Sequence, residues 1–387
     1  MASRNRIEMS NVIFRRLIDH AAIDGTIIAN GDKGRFIKRL SEADAELMAK
    51  ADVRGKRKIT RQMRAVMFEH GAQRFFALFG FASSLGTLLQ MPEGLAEIDP
   101  TPGMFGIAIT EAEIMPRATS VEIRDVIEAE YSGLEGYEGH ELTDVAGLFP
   151  PVVFAEADVN YPYTMNIDRV LGAMVAATYL DGPIALSEDA LNAAGSLFTA
   201  GPSSIPFEIV LQGILSISWS GLYVELYRCV EQLYPVPRLS NLINRWASTQ
   251  SLNSLAELLR DSLGWRPRED ESLIKLIKEC PDQVANDLIA SFELELDEKS
   301  IAADAAGRQV YGMRNSLVHF RGNTVVVQPN DEKWNAIVVA MIALVAETYN
   351  RFGELFHAGA TAPTSVELVE ALTGLVDAAP AVDVTSA

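Results

Sequence analysis

The sequence predicts a mainly α-helical protein in which a mixed, mostly helical N-terminal domain precedes a C-terminal helical bundle. Three observations carry this expectation. Apolar residues recur at helical spacing over 207–234, at Ile209, Val210, Ile214, Trp219, Leu222, Tyr223, Leu226, Tyr227, Val230 and Leu233. A second, strongly apolar helix is expected over 331–354. Between the two halves, Gly201-Pro202-Ser203-Ser204 breaks the periodic pattern and marks a boundary near residue 200. The expected organisation is therefore a domain over 1–200, a helical domain over 205–355, and a tail over 358–387.

In the first half, Ser41 followed by Glu42 and Asp44 reads as a helix start, with Leu47 and Met48 on the buried side. Residues 60–91 are expected to give one or two helices, one of them deeply buried, ended by the stretch from Pro92 to Pro102. Residues 104–114 begin like a strand. Residues 119–131 look helical, with Val121, Ile123, Val126 and Ile127 inward. A glycine-rich loop follows at 133–139, then a short strand at 151–155 and helices at 166–180 and 187–199.

In the second half, Pro235 and Pro237 stop the long 207–234 pattern. Helices are expected at 238–247, 251–262, from about 269 to Cys280, and over 282–296. Another spans 299–319, followed by a strand at 323–328 and the apolar helix 331–354. The Ala/Thr/Pro-rich tail holds one short helical pattern, 366–377.

Charge is unevenly spread. The chain carries −19 overall, but residues 1–64 hold 15 basic and 8 acidic side chains. Six basic residues fall between Arg54 and Arg64. The overall balance excludes a broad nucleic-acid-coating surface. The local patch, with Arg54, Lys56, Arg57 and Lys58, suits RNA or an acidic partner, or pairs with this protein's own acidic half. Two cysteines, Cys229 and Cys280, cannot build a disulfide framework, which fits a reducing, cytoplasmic setting. The uncharged runs 75–91 and 336–346 fall short of a membrane span and read as buried helices, so no membrane is expected.

Most motifs of enzyme chemistry are missing. There is no GxxxxGK[ST] phosphate loop and no GxSxG elbow around Ser83 and Ser84. His20, His70, His140 and His357 lie far apart, and the acids near His140 have no metal-ligand spacing, so neither metal nor cofactor is expected.

One segment stands out: Arg314-Asn315-Ser316-Leu317-Val318-His319. The Arg and the His lie five positions apart, about 140° around an ideal helix. The two side chains meet only if the helix ends between or just after them, as Phe320-Arg321-Gly322 suggests. An arginine holds a phosphate through two donors. A histidine takes a proton from a ribose 2′-OH or gives one to the leaving 5′ oxygen. Asn315 can orient Arg314 through its amide. A single His does not easily serve as both base and acid, so a symmetric dimer with two copies of the pair in one cleft is the natural completion. The bland alternative is also open: Arg and His near a helix C-terminus complement its dipole.

The phrase YGMRNSLVHFRGN, late in a helical domain that opens on a long Trp/Tyr-bearing helix, resembles the HEPN superfamily of helical nucleotide-binding domains over roughly residues 205–355. The resemblance implies a helical-bundle domain that dimerises. Many members are metal-independent endoribonucleases in toxin–antitoxin or antiviral defence systems. Carried onto this chain, it makes Arg314 the phosphate holder, Asn315 the orienting residue and His319 the proton-transfer residue. RNA, a homodimer partner and an inhibitory or regulatory protein are the implied partners. Other members are non-catalytic dimerisation or partner-binding modules. Tyr311 is a candidate for base stacking and Arg321 for a second phosphate contact. Glu225, Arg228 and Glu231 share a polar stripe that can approach the motif or simply pair among themselves.

Overall fold

The computed structural model describes residues 6–29, 34–38, 41–60, 63–81, 91–130, 135–179, 182–239, 251–263, 268–297, 300–319 and 329–357. Arg321, the expected strand 323–328, most of the expected helix 238–247 and the tail pattern 366–377 lie outside them. A mixed region with a five-stranded sheet precedes a run of joined helices. Two compact units divide the chain. The first comprises Met1–Ala200 with Phe207–Leu222, and the second Gly201–Pro206 with Tyr223–Ala387. Residues 207–222 thus group with the first unit rather than following a single cut near 200, because the helix Phe207–Ile214 packs on the helix Ile167–Thr178.

In the first unit, α1 (Arg6–Ala21) and α2 (Glu42–Lys50) come first, and Ser41 caps α2 by accepting from the Asp44 amide at 3.2 Å. Leu47 and Met48 are buried, as their spacing predicts. β1 (Asp52–Lys58), β2 (Arg64–His70) and β3 (Gln73–Phe79) form an antiparallel meander. β5 (Val152–Ala157) pairs with β3, and β4 (Leu95–Ile98) forms the far edge.

Over 64–79 this sheet corrects the helices expected across 60–91, of which residues 82–90 lie outside the described residues. His70 pairs with Gln73 across the two-residue turn Gly71-Ala72, where Gly71 has φ +62°. Phe68 and Phe75 then stack across the hairpin, ring centroids 5.4 Å apart. The strands are covered on both faces. Val66, Phe68, Phe75 and Ala77 join the core under α1, α2 and α3 (Pro102–Ala112). On the opposite face, Met67 and the bare Gly55 meet Ile167 of α6 (Ile167–Thr178). A strand buried on both sides reads as a continuous apolar run, so the period-2 signal disappears.

The strand-like start at 104–114 is α3, which is apolar because nearly all of it is buried. Thr101 caps it, Pro102 opens it, and both carboxylate oxygens of the buried Asp44 accept from the Gly103 amide at 3.0 and 3.1 Å. In α4 (Ser120–Ala129), Ile123 and Ile127 are fully buried but Val121 is exposed. A Thr119/Glu122 capping box starts that helix. After α5 (Leu142–Gly147), β5 and α6 comes α7 (Glu188–Ala200). The long pattern 207–234 is two helices, α8 (Phe207–Ile214) and α9 (Trp219–Glu231), because Leu215–Ser218 turn between them.

The second unit is a bundle built on α9 and the helices Leu252–Leu263, Glu269–Glu279, Asp282–Phe292, Ala302–Val318 and Asp331–His357. Its centre is aromatic. The buried Tyr223 hydroxyl donates to the Val310 carbonyl at 2.8 Å, and its ring meets Trp334 at 6.1 Å. The Tyr349 hydroxyl donates to the Cys229 carbonyl at 2.9 Å. Asp331–His357 is long and apolar enough to cross a membrane by length and composition. Among the described residues, however, its apolar positions from Trp334 to Phe356 are packed inside the bundle.

Candidate functional site

The motif occupies the last turn of Ala302–Val318. Ala303, Ala306, Gly307 and Val310 form that helix's buried stripe, at i, i+3, i+4 and i+7 spacing. Small residues let it approach Glu269–Glu279 closely: a Cβ on Gly307 would lie 2.6 Å from Cγ1 of Ile274. Arg314 is the next position of the stripe after Val310. It is therefore turned inward, with a side chain 18% exposed.

Three groups hold its guanidinium. Nη1 donates to Oδ1 of Asn315 at 3.0 Å. Nη2 lies 3.8 Å from Oε1 of Glu231 on α9. The guanidinium carbon sits 5.6 Å from the centre of the Tyr227 ring, one turn before Glu231. The buried Tyr234 hydroxyl donates to that of Tyr227. Burial pushes the Glu231 carboxyl up and the nearby Glu269 adds to this, while Arg314 and Arg228 pull it back down. Burial likewise holds both tyrosine hydroxyls far above their ordinary range.

His319 is placed differently. The helix ends at Val318, and His319 is its C-cap, with φ −103° and ψ 107° and its backbone amide donating to the Asn315 carbonyl at 3.0 Å. Its side chain is exposed and, among the described residues, makes no hydrogen bond or ion pair. The fold thus joins Arg314 to Asn315, Glu231 and Tyr227, and leaves the His319 ring in solvent. Tyr311 is half-buried one turn before Arg314.

Beside Glu231 opens a cleft of about 500 Å³, lined by Tyr234, Glu257, Arg260, Glu269 and His357 among others. Among the described residues, three carboxylates against one guanidinium make this hollow acidic rather than phosphate-attracting. Burial pushes the thiols of Cys229 and Cys280 up to about 12, so neither serves as a nucleophile near neutral pH. Among the described residues no group of three or more His, Cys, Asp or Glu is arranged to hold a metal ion.

The basic strand β1 is largely neutralised within its own unit. Arg54 bridges Asp52 at 3.0 Å and Glu69 at 2.7 Å. Lys56 pairs with Glu111. Arg57 forms a two-pronged pair with the buried Asp168, at 2.5 and 2.6 Å. Lys58 alone of the four is exposed with no ion pair among the described residues.

No family model, no curated protein and no solved structure matches this chain. Tyr227, Tyr234 and Glu269, which no motif singles out, surround Arg314 and Glu231. A signal for three of the five was present: Tyr227 and Glu231 lie four apart on α9, and the small-residue stripe of the motif helix extends to Arg314.

Proposed function

We propose that the second unit is a HEPN-like module that cuts RNA without a metal ion, acting as a symmetric dimer in the cytoplasm as a toxin or antiviral defence effector. The observation that carries this reading is the division of labour within the motif. Arg314 is held in place by Asn315, while the His319 imidazole stands exposed and unengaged at the helix end. In the reaction, a ribose 2′ oxygen attacks the adjacent phosphorus and the bond to the 5′ oxygen breaks, leaving a 2′,3′-cyclic phosphate. His319 of one protomer takes the 2′-OH proton, and His319 of its partner protonates the departing 5′ oxygen. Arg314 balances charge on the phosphoryl oxygens. Phosphate must compete with Glu231 for the guanidinium. The exchange leaves the half-buried Glu231 carboxylate without its cation, and protonation of that carboxyl, favoured by its raised pKa, offsets part of the cost.

A second reading rests on the acidic hollow and the Arg314–Glu231 pair: a non-catalytic dimerisation or partner-binding module in which Arg314 is structural. Incubating purified protein with mixed RNA in EDTA separates the two. Cleavage that is lost in His319→Ala and in Arg314→Ala, with the oligomeric state unchanged, supports the nuclease. No cleavage by a dimeric wild type, or activity surviving both substitutions, overturns it.

A further inference from the structure

We propose that the first unit binds a small organic cation, an ammonium or guanidinium on a short apolar stem, in a cleft of about 750 Å³ between the Pro92–Gly94 turn and helices α6 and α7. Its volume lies within the range of small-molecule pockets. The site lies wholly within the first unit and does not depend on the nuclease reading.

One wall is aromatic and built around a tight turn. The Leu95 amide donates to the Pro92 carbonyl at 3.0 Å, and Gly94 takes φ +90°. A Cβ on Gly94 would lie 2.5 Å from Cγ of Tyr161, so that ring rests directly on the glycine. The Tyr161 hydroxyl donates to Oε1 of Glu93 at 2.7 Å, and the Tyr163 hydroxyl to the Glu93 carbonyl at 2.7 Å. The two rings stand nearly perpendicular, centroids 6.4 Å apart. The opposite wall is set back because its positions on α6 and α7 carry short side chains, among them Ala173, Ala176, Gly195 and Ser196.

The sign of the ligand follows from the charges. Glu93 and Glu188 are the charged residues of the described lining, and no Lys or Arg lines the cleft among the described residues. The Tyr161 hydroxyl, hydrogen-bonded to Glu93 and close to Asp158, is raised by that negative surrounding. The guanidinium near Tyr163 belongs to Arg169, which donates to the Phe198 and Thr199 carbonyls at 2.6 and 2.9 Å and lies over the Phe207 ring. The N-terminus of α7 offers no anion site either. Ser187 accepts from the Ala190 amide, and Glu188 and Asp189 occupy the first turn. The Glu93 carboxylate beside the Tyr161 ring suits a cation that can meet both charge and ring face, with Glu188 adding negative charge to the lining, while the alanine and glycine wall takes an apolar stem.

The test titrates the full chain with agmatine and hexylamine, and with hexanol and hexanoate as neutral and anionic counterparts, by calorimetry. Glu93 and Glu188 are exposed, so Glu93→Gln and Glu188→Gln are expected to fold normally, which circular dichroism checks. The expected result is one cation per chain, about tenfold weaker binding in each glutamine variant, and weaker binding in Ser196→Phe, which puts a ring into the cleft. Binding of neither amine at millimolar concentration, equal binding of hexanol or hexanoate, or unchanged affinity in the glutamine variants would overturn the proposal.

Discussion

Arg314 lies over the ring of Tyr227, its guanidinium carbon 5.6 Å from the ring centre, with Glu231 one turn further along the same helix. A single arginine therefore ties the end of the motif helix to α9 through a ring and a half-buried carboxylate.

Removing that arginine strands Glu231. Arg314→Ala is expected to cost about 1–2 kcal/mol at pH 7, from the lost ring contact and the carboxylate left without its cation. Adding Glu231→Gln should recover most of it. The pH dependence has a defined sign. Burial raises the folded-state pKa of Glu231, so its favourable contribution is full below the unfolded value and fades as pH rises through the folded one. The deficit of Arg314→Ala should therefore shrink in acid. Urea unfolding of both variants at pH 7 and pH 5 checks this, and a deficit independent of pH refutes the role of Glu231.

His140 should make the first unit acid-sensitive. It is 2% exposed, packed against Phe14 and Tyr137, and its Nε2 has no hydrogen-bond partner among the described residues. Burial, with Arg35 adding to it and Asp144 opposing, lowers its pKa to about 4. A depressed pKa means the neutral ring is the stable form. The contribution is fully present above the unfolded value near 6.5 and is lost as pH falls towards 4, by about 3 kcal/mol at most. Chemical denaturation from pH 7 to pH 4 should show this slope, and His140→Phe should flatten it.

Arg57 discriminates stability from RNA contact. Its two-pronged pair with Asp168 joins β1 to α6. Arg57→Ala is expected to lower stability by about 1–3 kcal/mol, because it leaves a buried carboxylate unpaired. Lys58→Ala should leave stability unchanged. If RNA binding is found, Lys58→Ala should weaken it and reduce its salt dependence. A stable Arg57→Ala protein would show that the pair contributes little.

Gly172 sits where α6 crosses α7. A Cβ there would lie 2.2 Å from the Phe198 ring, which is fully buried. Gly172→Ala should cost about 1–3 kcal/mol through forced repacking, read as a lowered thermal midpoint. Gly195→Ala, with its nearest neighbour 3.7 Å away, should have little effect.

Much of the helical skeleton was legible because its signals are local. Ser41 before α2, the separate 166–180 and 187–199 patterns, and the apolar 331–354 run all depend on spacing within one segment. The end of the motif helix was legible for the same reason, but the expected meeting of Arg314 with His319 was not found. The five-residue spacing and the glycine after Phe320 placed the helix end, and the helix does end at Val318. Of the sheet, β5 was legible as the short strand 151–155, but β2 and β3 were not, because they are buried on both faces and their alternation is erased by the cores above and below them. Nor did the residues reveal that the Arg54–Lys58 patch meets Glu69, Glu111 and Asp168, carboxylates distant in sequence. Local sequence determined the helices with clear caps or one-sided periodicity and where the motif helix stops, but not β2, β3 or the buried α3. Tertiary packing alone decided that Arg314 faces Glu231 and Tyr227 while His319 faces water, because that depends on which helix the small-residue stripe is buried against.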